Sequence, residues 1–341
     1  MTDIRSLTIG ELKEKLAAEG EKPFRAGQIF AWLHKKRVLS FDEMTDLSKE
    51  LRRKLSELYV IEPLRTVEVQ TSALDGTKKF LFALSDGNVI ESVFMRYREW
   101  NAVCISSQVG CAMGCRFCAS TVEGCVRDLT AAEMLDEVYA ILRETGESIG
   151  SVVVMGSGEP LLNYDNLLRF IENLSSPEGM DLSQRSITVS TCGIVPQMKR
   201  LAGEHLQINL AVSLHASEDK KRRQLMPVAE KYTIRELLDA CGEYFRETGR
   251  RLSFEYALVA GVNDTGGDAE RLAGLLRGMN CYVNLIPVNP VRETGLKRPK
   301  REAALRFKEM LERRGISAAV RRELGSDIDG ACGQLRRRRL T

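Results

Sequence analysis

The stretch Cys111-Ala112-Met113-Gly114-Cys115-Arg116-Phe117-Cys118 decides how this chain is read. Its three thiols follow at intervals of four and three residues, close enough to surround one small inorganic centre without help from distant chain. Structural zinc takes four protein ligands in a closed tetrahedron, so three donors leave one coordination position open to a substrate. Cysteine thiolates at short spacing also hold iron-sulfur clusters. A cubane with three cysteine-bound irons and one open iron suits the count of three better than zinc does. Two plainer readings stand beside it. One is an ordinary core, where a thiol packs as a small hydrophobe; the other is a zinc site completed by Cys125.

The rest of the composition sets bounds. At 341 residues and 43% hydrophobic content, the chain can hold one large domain and a small one around a real core. No apolar run approaches the roughly 18 residues of a membrane span, and Met1 to Leu16 lacks a signal-peptide stretch. Nine Cys, an odd number and partly clustered, argue against a disulfide scaffold and for a reducing interior. The expected setting is therefore cytoplasmic, with no membrane partner. A net charge of +3 does not announce a nucleic-acid partner. The basic runs Lys297-Arg298-Pro299-Lys300-Arg301 and Arg336 to Arg339 do suit phosphate contacts, and equally suit a solvated surface and a frayed tail.

Along the chain, residues 1–60 read as a small helical domain, opening on the capping box Thr8-Ile-Gly-Glu11 before Leu12 and Leu16. Phe24, Ile29, Trp32 and Leu33 continue the apolar stripe, with Lys35-Lys36-Arg37 and Arg52-Arg53-Lys54 between apolar positions. This is either an amphipathic bundle or a domain that touches RNA. Residues 61–98 shift to a period of two around Asp75-Gly76 and Asp86-Gly87, which predicts two short hairpins as a linker. Over 99–322, strand-like and helix-like segments alternate: Ser151 to Met155, Asn163 to Leu174, Ser186 to Ser190, Val195 to Leu201, Gln207 to Leu214 and Thr233 to Thr248. The series continues with Leu252 to Leu258, Gly267 to Arg277, Tyr282 to Pro287, Lys300 to Arg313 and Ser317 to Arg321. Thr130-Ala-Ala-Glu133 and Thr233-Ile-Arg-Glu236 mark two helix starts. Such alternation implies parallel strands with helical crossovers. About six units predict an α/β fold, a partial (β/α)6 barrel with a small N-terminal helical accessory domain joined by the hairpins. Residues 323–341 are expected to be a C-terminal loop and basic tail.

Reactive groups of barrels gather at the C-terminal ends of strands. The strand from Ser151 runs into Gly156-Ser157-Gly158-Glu159-Pro160, where glycines let backbone approach a ligand and Glu159 can accept from an ammonium group. Later strands end at Ser190-Thr191-Cys192-Gly193, at Ser213-Leu214-His215 and at Asn284 to Pro290, which includes Asn289. Any one of these polar groups reads as a satisfied residue near a core; the set reads as a ligand site.

The cysteine run resembles the signature of radical S-adenosylmethionine (SAM) enzymes, and the Gly-Glu-Pro turn resembles the motif with which they hold the methionine amine. Val103-Cys104-Ile105-Ser106-Ser107-Gln108-Val109-Gly110-Cys111, Gly158 to Asn163, Ser213 to Ala216 and Asp327-Ile-Asp-Gly-Ala-Cys332-Gly-Gln-Leu335 closely resemble the RlmN family, over nearly the whole chain. These are adenine-C2 methyltransferases of 23S rRNA and, in some members, of tRNA. The departures are Ser157 for Met or Ile, Cys192 for Ser, Ser217 for Pro and Gly330 for Ala. None removes a group the chemistry needs, and Cys192 adds a thiol.

The resemblance implies one [4Fe-4S] cluster on Cys111, Cys115 and Cys118, with SAM at the open iron. It implies SAM contacts from Gly158, Glu159, Ser190, Ser213, Leu214, His215 and Asn289. It also implies three catalytic residues. Cys332 takes a methyl from a first SAM, as suits a soft thiolate. A deoxyadenosyl radical from a second SAM removes hydrogen from that methyl, and the resulting carbon radical adds to the base. Cys104 then releases the product by forming a disulfide with Cys332, reset by thiol exchange, and Glu91 accepts the proton. The implied partners are RNA, an electron donor such as flavodoxin or ferredoxin, and a thiol reductant; a monomer is expected. Cfr-type proteins, which methylate carbon 8 of adenine, share both extra cysteines and carry Ala in place of Pro160. From another class, a zinc-stabilised RNA-binding module would use the same cysteines and basic runs without catalysis.

Overall fold

The computed structural model describes residues 1–289 and 295–328. The N-terminal lobe holds α1 (Ile9–Ala18), α2 (Phe24–Phe30) and α3 (Lys49–Leu58), clasped by the parallel pair β1 (Thr2–Asp3) and β2 (Tyr59–Val60). Thr8 and Glu11 form the reciprocal cap of α1, as their spacing predicts. Leu12, Leu16, Ile29, Phe30, Leu33, Leu51 and Leu55 face inward and make the lobe's own core.

Among the described residues, ten strands form the main sheet. β3 (Arg65–Thr71), β4 (Lys78–Ala83) and β5 (Val89–Arg96) are an antiparallel meander. β5 runs antiparallel to β6 (Asn101–Ile105), which pairs in parallel with β9 (Ser151–Val154), beyond a small hairpin of β7 (Gln108–Gly110) and β8 (Cys125–Asp128). Parallel pairing continues through β10 (Ile187–Thr191), β11 (Asn209–Ser213), β12 (Leu252–Leu258), β13 (Cys281–Pro287) and β14 (Ala318–Val320). The crossovers are α4 (Ala131–Thr145), α5 (Tyr164–Ser175), α6 (Val195–Gly203), α7 (Asp219–Leu225) with α8 (Ile234–Thr248), α9 (Gly266–Leu275) and α10 (Arg301–Glu312). Six strand-to-helix units and a seventh parallel strand give the partial barrel that the alternation predicts.

Strand alternation sorts the two faces of the sheet. On β6, Val103 and Ile105 pack outward with Val152, Val154 and the α4 residues Leu135 and Val138. Ala102 and Cys104 point to the inner face with Met95 and Met155. The expected hairpins of residues 61–98 are this meander, and it extends the barrel sheet. Phe80, Phe82, Ile90 and Phe94 join the same outer core as the barrel strands, so burial draws the meander onto the sheet edge.

The lobe docks on the barrel through buried polar groups. Arg5 bridges Asp3 at 2.7 Å and Asp136 of α4 at 2.9 Å, with Arg5 and Asp136 both buried. His34 Nδ1 lies 2.9 Å from Tyr139 Oη, and Asn173 donates to the carbonyls of Arg5 and Leu7. Buried charge persists only when paired, so this junction is fixed in geometry.

Candidate active site

The three cysteines lie in the loop between β7 and β8, just beyond the C-terminal end of β6. Cys118 N–H donates to the Cys115 carbonyl at 3.0 Å, and the Thr121 hydroxyl donates to the carbonyls of Cys115 and Cys118. Arg116 N–H donates to the Leu225 carbonyl at 2.9 Å, tying the loop to the end of α7. Below it, Cys115 packs with Met226, which follows α7, and with Cys192, Val259 and Val288, each just beyond the end of a barrel strand.

The Gly-Glu-Pro turn after β9 is zipped to the segment leading into Cys111. The amides of Ser107 and Gln108 donate to the Ser157 carbonyl at 2.8 and 3.1 Å, and Glu159 N–H donates to Gln108 Oε1 at 2.8 Å. Asn163 Nδ2 donates to the carbonyls of Ser107 and Leu129. Two glycines make this approach possible. A Cβ on Gly156 would lie 2.7 Å from the Ile105 carbonyl oxygen, and one on Gly158, at φ +108°, would lie 2.6 Å from Ser107 Oγ.

Glu159 is 3% exposed. Its carboxylate accepts from the amides of Cys192 at 2.6 Å and Leu161 at 3.1 Å, and burial pushes its pKa up. A desolvated carboxylate raised in this way is stabilised by an approaching cation, the property needed to hold an ammonium group. The Cys192 thiol, buried beside Glu159, is pushed well above its ordinary range.

His215 sits at the end of β11 with φ +55°. The amides of Leu214 and His215 donate to the Glu255 carbonyl, and the Ala257 amide donates to His215 Nδ1 at 2.8 Å. With Nδ1 accepting, Nε2 carries the proton. Burial lowers the ring's pKa to about 3 and keeps it neutral, and Phe117 meets it edge-on at 4.6 Å. Ser190 and Ser213 lie on β10 and β11 near the same strand ends. Asn289 follows β13 and accepts from Arg298 at 3.2 Å.

Glu91 and Cys104 share the inner face of the sheet. Cys104 is opposite Val93 of β5 and Val153 of β9. Glu91 is two residues along β5 from Val93, toward the cysteine loop, and its carbonyl accepts from Ser106 Oγ at 2.9 Å. Its carboxylate pairs with Lys79 at 3.1 Å, with Lys79 wholly buried and Glu91 5% exposed. Cys332, the remaining predicted site residue, lies outside the described residues.

Three further site residues escape a reading of the sequence. Lys79 stands in a Lys78-Lys79 pair that looks solvated, and only its strand parity points inward. Gln108 joins the two ligand loops, accepting from Glu159 N–H and donating to Asp128. Arg222 stands in the charged run Lys220 to Arg223 yet is fully buried, and it donates to the carbonyls of Cys192, Ser213, Leu214 and Tyr232. Its guanidinium locks the ends of β10 and β11 together and puts a positive charge near Cys115.

The donor set suits a cubane. Burial and mutual repulsion push Cys111 up to about 12 and Cys115 higher still, so three thiolates here require a strong cationic partner. Among the described residues, no group of three or more His, Cys, Asp or Glu side chains is gathered closely enough to hold a metal ion.

Comparison with known proteins agrees with this geometry. Residues 2–61 match the family described as ribosomal RNA large subunit methyltransferase N-terminal domain, and residues 105–273 match the radical SAM superfamily. A probable dual-specificity RNA methyltransferase RlmN of Lachnospira eligens is 57% identical, over 98% of this chain and 96% of its own length. A protein of the same description from Clostridium perfringens is 51% identical, over 99% of this chain and 97% of its own. The crystal structure of a radical SAM methyltransferase from Sphaerobacter thermophilus superposes with a TM-score of 0.92 at 46% identity, covering 98% of this chain and 99% of that one. These matches run over nearly the full length of this chain and of its relatives, and the chain belongs to the RlmN family of radical SAM RNA methyltransferases, which implies a [4Fe-4S] cluster and SAM as its cofactors.

Proposed function

We propose that this enzyme methylates carbon 2 of an adenosine in 23S rRNA, with an anticodon-loop adenosine of tRNA as a second substrate, and carries the transferred carbon on Cys332. The observation that carries the reading is the shared inner face of Cys104 and Glu91, toward the end of β6 from which the chain runs on to the three-thiol loop. Carbon 2 of adenine offers no nucleophile to an ordinary methyl donor, so a radical route fits the target. Two RNA classes agree with the dual-specificity description of the relatives.

When bound, the cluster on Cys111, Cys115 and Cys118 and the SAM beside it supply one electron's worth of reduction and a 5'-deoxyadenosyl radical. Glu159 would accept from the SAM ammonium, with Gly158, Ser190, Ser213, Leu214, His215 and Asn289 lining the remainder. The Cys332 thiolate takes a methyl from one SAM by displacement and then gives up one hydrogen atom from that methyl. The resulting carbon radical on Cys332 bonds to carbon 2. Cys104 attacks the Cys332 sulfur; a sulfur–sulfur bond forms and the sulfur–carbon bond breaks. The departing carbon takes an exchangeable proton, the carbon-2 proton passes to Glu91, and the surplus electron passes to the redox partner. A dithiol reductant restores both thiols. Flavodoxin or ferredoxin serves as electron donor in this scheme.

Residues 1–60 act as the RNA-contacting lobe, with Lys35, Lys36 and Arg53 exposed, and Lys297, Lys300 and Arg301 add exposed charge past the end of β13. Such cations suit phosphate contacts. Cys104→Ala tests the scheme, because a releasing thiol is needed only after the carbon has joined the base. RNA bound covalently to this variant on a denaturing gel is the expected result; free, unmodified RNA with no adduct counts against it.

A further inference from the structure

Among the described residues, β14 and β3 are the two edges of the ten-stranded sheet and no strand of theirs joins the two. The chain leaving β14 crosses from one edge to the other. Leu324 packs against the inner-face cluster of Met95, Ala102 and Cys104. Gly325 N–H then donates to Asp75 Oδ2 at 3.0 Å, and Asp327 accepts from Ser72 Oγ at 2.6 Å and from Ala73 N–H at 2.8 Å. Ser72 to Thr77 form the turn between β3 and β4. Gly325 has φ +61°, and a Cβ there would meet Ile328 at 3.0 Å and Thr77 at 3.4 Å. Segment and turn are therefore fitted closely, by two carboxylates offered in opposite directions across one contact.

A strap held at that point bounds where the following chain can go. Cys332 is five positions beyond Asp327, a reach of about 18 Å at most. Leu324, three positions before Asp327, already touches the Cys104 cluster. An anchored segment gives a tethered thiol a higher effective concentration at its partner than a loose one does.

We propose that Asp327 is a positioning residue: with Ser72 and Ala73 it clasps the C-terminal strap to the β3–β4 turn and so sets the approach of Cys332 to Cys104. This rests on the roles given above to those two thiols. The clasp acts through chain geometry and touches no reacting atom.

The test is the rate at which Cys104 and Cys332 form a disulfide in the full-length, cluster-loaded enzyme, kept anaerobic and exposed to oxidised glutathione. Quenched samples are mapped by peptide mass spectrometry. Wild type forms the bond, and Asp327→Ala forms it at least about tenfold more slowly with iron content unchanged. Asp327→Asn, which keeps one accepting oxygen, falls between them. Ser72→Ala is slow too, and the double variant is no slower than Asp327→Ala alone, because the two side chains form one contact. Equal rates in wild type and Asp327→Ala overturn the clasp, and so do fully additive effects of Ser72 and Asp327. Wild type forming no Cys104–Cys332 disulfide overturns the roles of the thiols instead, and the clasp falls with them.

Discussion

Lys79 and Glu91 offer the sharpest test of the inner face, because their pairing is buried and its loss has a definite size. Nζ and Oε2 are 3.1 Å apart, with side chains 0% and 5% exposed. At an effective dielectric of about 20, unit charges at that separation attract by about 5 kcal/mol. Lys79→Met fills a similar volume but takes the counter-charge away from the carboxylate, and breaking a buried pair from one side costs about 3–5 kcal/mol. That is a fifth or more of the roughly 5–15 kcal/mol that holds a typical domain together. Urea unfolding of the iron-free chain reads the change as a shift of midpoint at constant slope. The double variant Lys79→Met, Glu91→Leu removes both charges and should regain most of the loss, since an apolar pair in a buried site is often no worse than an ionic one. A shift below about 1 kcal/mol for Lys79→Met, or a double variant less stable than the single, refutes the reasoning. Such a result would mean that water reaches the pair and screens it.

Two other perturbations probe the ligand loops and the lobe junction. Gly158→Ala puts a methyl 2.6 Å from Ser107 Oγ at a backbone angle of φ +108°, so it should push apart the segments on either side of the cysteine loop and lower bound iron severalfold. Full iron content by chemical analysis would contradict that. Burial, aided by Arg5, lowers His34 to about 3, whereas in the unfolded chain it titrates near 6.5. Between those values the unfolded state binds more protons, so this contribution is complete above about pH 6.5 and is lost as pH falls, by about 1.6 kcal/mol from pH 6.5 to 5. His34→Gln should lose that much less stability over the same interval by denaturant titration, and identical pH dependence in both proteins would count against it.

Much of the fold is legible because local signals agree with burial. Thr8, Thr130 and Thr233 all form the reciprocal caps that their spacing announces, since a capping box is satisfied within four residues. The alternating segments become β9 to β14 with their helices, often within two residues of the expected ends. The cysteine loop and the Gly-Glu-Pro turn stand at strand ends, where barrel geometry gathers reactive groups. What is not legible depends on partners remote in the chain. Asp75-Gly76 and Asp86-Gly87 mark turns, but no local signal says that β5 will pair with β6 and carry the meander onto the barrel. Lys79 and Arg222 lie in charged runs, and their burial becomes visible only when Glu91 and four loop carbonyls surround them. Asp327 belongs to a motif readable by resemblance, while its anchor, Ser72, is 255 positions away.

The account stands on one transfer: a carbon passed from a cysteine to carbon 2 of adenine. The most direct measurement supplies the reconstituted enzyme, under anaerobic reduction, with SAM trideuterated in its methyl group and an RNA fragment, then digests the RNA and identifies the labelled nucleoside by mass spectrometry. The account predicts 2-methyladenosine holding two of the three deuterium atoms, because one is removed while the methyl is on Cys332 and is replaced from an exchangeable source at release. A product holding all three, or methylated at carbon 8, would contradict it.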